Sequence, residues 1–206
     1  MARKSKRKSQ RKTVFVLGDG QTEQYYFDHL KNIHGYSYKI RPRLFNNLTI
    51  ESAENHIDQL LSGDADLIFY ITDLDIIINQ NKQSKFQNFI RKYKNNQNVL
   101  ILGSMPSIEY WFILHFYKTT KRFRNSSEAE KELSKKIKDY SKQKGFLENP
   151  KWVEALCEDN NLNNAIKRAK EVLSEKNSEQ SDEYFPFTKI HNAIEHFEKL
   201  KFYNYG

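Results

Sequence analysis

The sequence predicts an α/β protein with a mainly parallel, four-stranded sheet flanked by helices and followed by additional C-terminal helices. Short apolar runs alternate with amphipathic segments through the first half of the chain. That order favours parallel strands joined by right-handed crossovers. The run at 67–72 is apolar throughout, which is typical of a strand covered on both faces. The second half carries mainly helical patterns.

Seven elements alternate in the first half. Four apolar residues before Gly18 predict the first strand, and apolar spacing predicts a helix at 22–32. An extended segment at 36–45, a helix at 51–61 and the strand at 67–72 follow. A helix at 85–95 and a short strand at 99–102 complete the set. Ligands of such open sheets bind outside the carboxyl ends of the strands.

The segment after Gly103 predicts helices. Pro106 can open a helix, and residues 108–117 are apolar nearly all round, which indicates a buried helix. The charged segment 126–140 predicts a solvated helix. Amphipathic helices are expected at 163–173 and 188–200, with Thr188 as the N-cap of the last one.

The 206 residues suffice for one domain with a real core. We expect a basic, disordered arm at 1–12 and a single domain at 13–206, whose C-terminal helical part covers about 118–206. Most of the formal net charge of +8 lies in the arm. A single cysteine excludes an intramolecular disulfide, and no apolar run is long enough to span a membrane. A cytoplasmic protein without a membrane partner is therefore expected, and a homo-oligomer is compatible with the sequence.

The basic arm could hold a phosphate backbone by counterion release, or it could be a solubilising leader. Lys189 and His191 could also contact phosphate, although helix capping and a solvated helix face are the favoured explanation of this segment. Nucleic acid, either DNA or RNA, is therefore an expected partner. The candidate cations of the arm are Arg3, Lys4, Arg7, Lys8, Arg11 and Lys12.

Acidic residues follow two of the predicted strands. Asp19 lies on the turn after Gly18, and Glu23 falls in the first turn of the next helix. Asp73 and Asp75 end the apolar strand, where residues two apart point to the same side. Such oxygens suit Mg²⁺ (or Mn²⁺), which prefers hard ligands and keeps several waters. The alternative is that these aspartates only form turns and cap helices.

Glu109 stands in the most apolar segment of the chain. Burying a lone carboxylate costs several kcal/mol unless it is paired or bound to a cation. Glu109 therefore lies either at an exposed helix start, where the helix dipole favours anions, or facing the acidic cluster through a shared ion. The sequence leaves both positions open.

Three motifs resemble the RloB-like proteins: G-D-G-Q-T-E-x-x-Y-F at 18–27, an apolar strand ending in D-x-D at 73–75, and P-S-I-E-Y-W-F-I-L-H-F at 106–116. The resemblance spans essentially the whole chain, including the basic N-terminus and a P-x-T-x-x-H segment at 186–191. That family is bacterial and is associated with restriction-linked and abortive-infection phage defence. It is related to the Toprim domains of topoisomerases, primases and OLD-type nucleases.

The resemblance implies a Toprim-like sheet with Asp19 as the catalytic acid/base or a metal ligand. It implies Asp73 and Asp75 as Mg²⁺ ligands, and Glu23 and Glu109 as further members of the acidic site, Glu23 as a second catalytic acid. The family usually has glutamate at the position of Asp19, so the acid is kept with a shorter reach. Family members are often encoded beside an ATPase, which implies an ATPase partner protein.

The expected function is that of a Mg-dependent, Toprim-type nuclease-like effector of bacterial antiviral defence that cleaves nucleic-acid phosphodiesters. The first alternative is a non-catalytic nucleic-acid-binding or ATPase-partner subunit with a degenerate Toprim site. The second is a phosphatase or phosphotransferase with an aspartate nucleophile in the D-x-D motif.

Overall fold

A mixed sheet with five strands organises the protein, in a computed structural model that describes residues 12–41, 48–63, 65–178 and 182–203. The strands are β1 (Val14–Gly18), β2 (Lys39–Arg41), β3 (Leu67–Asp73), β4 (Val99–Met105) and β5 (Phe187–Thr188). Their order across the sheet is β2-β1-β3-β4-β5. The first four strands pair in parallel, as the alternating sequence pattern predicts.

Ten helices surround the sheet in the described part of the chain. They are α1 (Gln21–His34), α2 (Ile50–Leu61), α3 (Leu74–Asn79), α4 (Gln83–Tyr93), α5 (Ile108–Phe116), α6 (Ser126–Leu133), α7 (Lys144–Leu147), α8 (Lys151–Cys157), α9 (Asn161–Ser178) and α10 (Ile190–Tyr203). A 3₁₀ turn at Glu158–Asn160 joins α8 to α9. Within the described ranges, no helix combines the length and the apolar character that a membrane crossing requires.

The expectation of four strands is wrong, because β5 pairs antiparallel with the edge of β4. Met105 lies opposite Phe187, and the hydroxyl oxygens of Ser104 and Thr188 are 2.8 Å apart. A strand of two residues is too short to show alternation in a sequence. Thr188 therefore belongs to β5, and α10 begins two residues later at Ile190, whose N–H donates to Thr188 Oγ1 at 3.3 Å.

The long helix expected at 126–140 is also wrong, since α6 ends at Leu133. The chain then turns irregularly, and Asp139 has a φ of 59° in the left-handed region. This turn brings the Tyr140 ring into the core, where it contacts Phe112 and Trp152. Burying an aromatic ring favours this path over a continued solvated helix.

Alternate residues of the central strands pack on opposite faces of the sheet. Val14 and Val16 of β1 join a large apolar cluster with α1, α5, α8, α9 and α10. Phe15 and Leu17 join a smaller cluster with α2, α3 and α4. The two-residue period of a strand sends its side chains to both faces, so a sheet covered on both faces produces a continuous apolar run.

Helix α5 is the buried helix that its sequence predicts, with every residue from Ile108 to His115 buried. Its C-terminal carbonyls need partners, and Arg168 of α9 supplies them by donating to the carbonyl oxygens of Leu114 and His115 at 2.8 Å each. The indole N–H of Trp111 donates to the hydroxyl of Tyr26 at 2.7 Å. These two contacts pair the C-terminal carbonyls of α5 and the indole N–H of Trp111, while Nε2 of His115 is buried without a hydrogen-bond partner.

We predict that Tyr26→Phe destabilises the fold, because the buried indole N–H of Trp111 loses its acceptor. The loss in the free energy of unfolding should be about 1–3 kcal/mol, measured by urea denaturation. Tyr184→Phe is the control, since Tyr184 is 45% exposed and should change stability by less than about 0.5 kcal/mol. Equal stability of the two variants would contradict the prediction.

Candidate functional site

A cleft of about 520 Å³ opens at the carboxyl ends of β1 and β3. The two strand ends, the first turns of α1 and α2, and helix α3 form its lining. Three of the predicted acidic residues, Asp19, Glu23 and Asp73, lie in this lining together with Lys82 and Lys142. The sheet therefore gathers acids that are distant in sequence at the edge where ligands of parallel sheets bind.

The carboxyl group of Asp19 is buried on the turn between β1 and α1. Its Oδ2 accepts a hydrogen bond from the Thr72 hydroxyl, and its Oδ1 is buried without a hydrogen-bond partner. Burial raises the pKa of Asp19 to about 7, the charge on Glu23 adds to the rise, and the Thr72 hydrogen bond opposes it. A carboxyl group with a pKa near neutrality can both accept and release a proton under physiological conditions.

Glu23 lies in the first turn of α1 and is almost fully buried. Its Oε2 accepts a hydrogen bond from the Gly20 N–H at 3.0 Å, which pairs a donor at the start of the helix. Burial raises the pKa of Glu23, and the charge on Glu109 raises it further. A Cβ atom on Gly18 would lie only 2.6 Å from the Cβ of Glu23, so the strand-to-helix turn depends on glycine there.

The two aspartates of the D-x-D motif belong to different elements. Asp73 is the last residue of β3, and its Oδ1 accepts from the Ile108 N–H at 2.8 Å. Asp75 lies in the first turn of α3, where Oδ2 accepts from the Ser126 N–H at 2.7 Å and Oδ1 is buried without a partner. The expectation that both aspartates end one strand and point to the same side is wrong, because the chain becomes helical at Leu74.

Glu109 is fully buried in the first turn of α5, so the expectation of an exposed helix start is wrong. Its Oε1 accepts from the Tyr140 hydroxyl at 3.0 Å and lies 3.0 Å from Lys142 Nζ. Its Oε2 accepts from the Ser107 hydroxyl at 2.5 Å. Three donors thus compensate this buried carboxylate, and one of them is a cation.

Neighbouring negative charges add to the effect of burial in raising the pKa values of Asp19, Glu23 and Asp73. Burial raises the pKa of Asp73 well above its ordinary value, and the charges on Glu23 and Glu109 add to the rise. Burial also raises the pKa of Asp75. Burial lowers the pKa of Lys142, but the charges on Glu109 and Asp73 outweigh it, so that its net pKa is raised. The cluster is a region of strong negative potential in which a cation is stabilised.

The side chains of the cleft offer Mg²⁺ the right type of ligand atom, but only a small number of such atoms. Within the described residues, no three His, Cys, Asp or Glu side chains form a ready-made metal site. The carboxylate oxygens are nevertheless hard donors, and Asp19 Oδ1 is buried without a partner beside the cleft. Mg²⁺ is commonly bound by one or two carboxylates together with water and substrate phosphates. The residues present fit that kind of ion, which Asp19 and Asp73 would hold, and they do not form a closed cage.

Three of the predicted phosphate-binding residues, Lys12, Lys189 and His191, fall within the described part of the chain. Lys12 precedes β1 and Lys189 lies between β5 and α10, both exposed, whereas His191 is buried in α10. Burial lowers the pKa of His191, whose Nδ1 has no hydrogen-bond partner. These three residues are not part of the cleft lining. The other predicted cations of the arm, Arg3, Lys4, Arg7, Lys8 and Arg11, fall outside the described residues.

Sequence reasoning missed Lys142, the cation of the acidic cluster. Lys142 follows α6 in a stretch that contains several other lysines, and no pattern distinguishes it from them. Thr72, which donates to Asp19, was part of the apolar strand without an assigned role. The hydrophobic pattern gave no signal for either contact, because each joins residues from distant parts of the chain.

The fold and the cleft define an α/β protein with an acidic site at the carboxyl edge of a mainly parallel sheet. The family model described as RloB-like protein matches residues 14–197, so the chain belongs to the RloB-like family. No curated protein and no solved structure matches the chain. The match confirms the family resemblance that the three sequence motifs carry.

We predict that Asp19 makes stability depend on pH. Its pKa is about 7 in the folded protein against an ordinary 3.8, so the folded state holds a proton that the unfolded chain releases. The resulting stabilisation is fully present below pH 3.8 and is lost as the pH rises to about 7. In EDTA and at a pH above about 7, Asp19→Asn should be more stable than the wild type. The gain should be a few kcal/mol, which is about the free energy that a pKa shift of this size represents.

Urea denaturation measures this effect between about pH 4 and pH 8, a range that covers the ordinary and the raised pKa of Asp19. Asp28→Asn, an exposed change on α1, is the control and should leave the profile parallel to that of the wild type. An Asp19→Asn profile with the same slope as the wild type would show that the Asp19 carboxyl does not hold the proton.

We predict that Gly18→Ala disturbs the turn that carries Asp19 and Glu23, because the new methyl group would overlap the Cβ of Glu23. The free energy of unfolding should fall by about 1–3 kcal/mol. Gly145→Ala is the matched control: its Cβ meets nothing within 4 Å, and alanine in a helix should be neutral or stabilising by up to about 1 kcal/mol. Thermal and urea denaturation of both variants measure the difference.

Proposed function

We propose that the protein is a Mg²⁺-dependent, Toprim-type nuclease-like effector that cleaves nucleic-acid phosphodiesters in bacterial antiviral defence by abortive infection. The observation that carries the proposal is the acidic cleft at the carboxyl ends of β1 and β3, where burial and neighbouring negative charges raise the pKa values of carboxylates. Perturbed acids of this kind, grouped in a cleft, are typical of catalytic sites.

The cleft needs a cation before it can accept a phosphate. The carboxylates of Asp19, Glu23 and Asp73 would repel a phosphodiester that entered alone. Asp19 and Asp73 offer oxygens for a divalent ion, and Mg²⁺ or Mn²⁺ bound there would neutralise phosphate charge and lower the pKa of a bound water. Lys82, on the same lining, adds positive charge to the cleft.

Asp19 is the residue proposed to move the proton. Burial raises its pKa to about 7 without a bound ion, and the Thr72 hydrogen bond fixes one of its two oxygens. Asp19 would either accept a proton from an attacking water or complete the shell of the ion. Glu23 orders the start of α1 through Gly20 and adds negative charge beside Asp19. Asp73 also accepts from the first N–H of α5, which fixes that carboxylate in place.

The role in defence and an ATPase partner protein belong to the same proposal and rest on the family resemblance. A cytoplasmic location also belongs to it and rests on the single cysteine and the lack of a long apolar run. A homo-oligomer and a nucleic acid held by the basic arm are further parts of it.

A second function, a non-catalytic nucleic-acid-binding or ATPase-partner subunit, is favoured by three observations. Glu109 already has a cation of the protein, Lys142, 3.0 Å away. Asp19 stands where the family usually has the longer glutamate, and the described residues do not form a ready-made metal site. These features are expected of a protein that keeps the family fold but whose site no longer binds a metal ion or catalyses a reaction.

We predict that Asp19→Asn and Asp73→Asn each lower Mg²⁺-dependent cleavage by about 100-fold or more, because each removes a proposed metal ligand and Asp19→Asn also removes the proton acceptor. Labelled single-stranded and double-stranded DNA and RNA serve as substrates, with EDTA as the metal-free reference. Asp28→Asn, exposed on α1, should cleave like the wild type. Cleavage that survives both cleft substitutions would end the proposal that this cleft is catalytic, and a wild type that cleaves none of the substrates in Mg²⁺ would favour the non-catalytic function.

A further inference from the structure

We propose that Lys142 is a built-in counter-ion of the acidic cleft and that a divalent cation binds there in competition with it. The inference rests on the proposed function only in that it names a divalent cation as the ligand. It assigns Lys142 a regulatory part: the lysine holds the cluster together without metal and lowers the affinity of the cleft for the ion.

The position of the ammonium group supports this role. Lys142 Nζ lies 3.0 Å from Oε1 of Glu109, which is fully buried, and Lys142 also lines the cleft. Its charge acts favourably on Glu23, Asp73 and Asp75 as well. One ammonium group therefore stabilises acids from α1, β3, α3 and α5 at once.

The ammonium group can leave without a change in the backbone. The side chain of Lys142 is 36% exposed, so its long flexible stem has a path to solvent. Tyr140 anchors the same segment, because its ring is buried against Phe112 and Trp152. When the lysine leaves, Glu109 keeps the hydrogen bonds from Tyr140 and Ser107.

Competition follows from the charges. A divalent ion held by carboxylates of the cleft and the ammonium group are stabilised by the same negative potential, and they repel each other. Low local dielectric strengthens that repulsion, since Glu109 and Asp73 are buried. Binding of the ion therefore includes the work of moving Lys142 away from the cluster.

The test is Lys142→Met, which keeps an apolar stem of similar length and removes the charge. Binding of Mn²⁺ is titrated by electron paramagnetic resonance, and melting temperatures are measured in EDTA and in Mn²⁺. We expect the Mn²⁺ dissociation constant to fall about tenfold or more. The melting temperature should fall in EDTA, where the acids lose their counter-ion, and should recover in Mn²⁺.

Lys144→Met is the matched control. Lys144 stands two residues further on, its side chain is 66% exposed, and it lies 3.4 Å from Glu148 on the same helical turn. Its replacement should leave both Mn²⁺ binding and the melting temperature in EDTA as in the wild type. Lys142→Gln provides a second variant, which keeps an N–H donor for Glu109 and should also bind Mn²⁺ more tightly than the wild type.

Unchanged or weaker Mn²⁺ binding by both Lys142 variants overturns the inference. So does failure of both variants to fold in Mn²⁺ as well as in EDTA, because the ion must be able to replace the ammonium group. The nuclease proposal fails separately: tighter Mn²⁺ binding without any cleavage supports the counter-ion and removes the enzyme. Cleavage that depends on Asp19, together with Mn²⁺ binding that neither Lys142 variant changes, supports the nuclease and overturns the counter-ion.

Discussion

Burial of several carboxylates at one edge of the sheet is the constraint on which the rest of the structure depends. Removing a carboxylate from water costs several kcal/mol unless a donor or a cation compensates it. The fold supplies such partners from distant elements: Thr72 for Asp19, the Ile108 N–H for Asp73 and Lys142 for Glu109. Each of these contacts ties two elements together, so the acids help to fix the positions of β3, α5 and the segment after α6.

Helix α5 connects the acidic edge to the core. Its first turn holds Glu109 and receives Asp73, and its carbonyl end receives Arg168. Between these polar ends, Trp111 and its neighbours are fully buried. The C-terminal helices that pack against α5 therefore do more than cover the sheet, because they hold the helix whose first turn contacts Asp73 and Lys142.

The two candidate functions differ in the cation that the cleft holds. In a nuclease, Asp19 and Asp73 would hold a divalent ion, whose charge would let the cleft accept a phosphate. In a non-catalytic subunit, Lys142 is the permanent cation, and the acidic cluster is a structural element. The same carboxylates are compatible with both candidate functions, because the negative potential that they create stabilises either a divalent ion or the Lys142 ammonium group.

The sequence by itself determined the elements with strong local patterns and the residues at their ends. Apolar runs and helical spacing placed β1, β3, α1 and α5, and two strand ends marked Asp19 and Asp73, because periodicity and turn residues are local properties. Only the tertiary structure decided that Lys142 contacts Glu109, that β5 joins the sheet and that Asp75 accepts a hydrogen bond from the Ser126 N–H. Those contacts join segments far apart in the chain, and their energies come from burial and charge that exist only once the fold has formed.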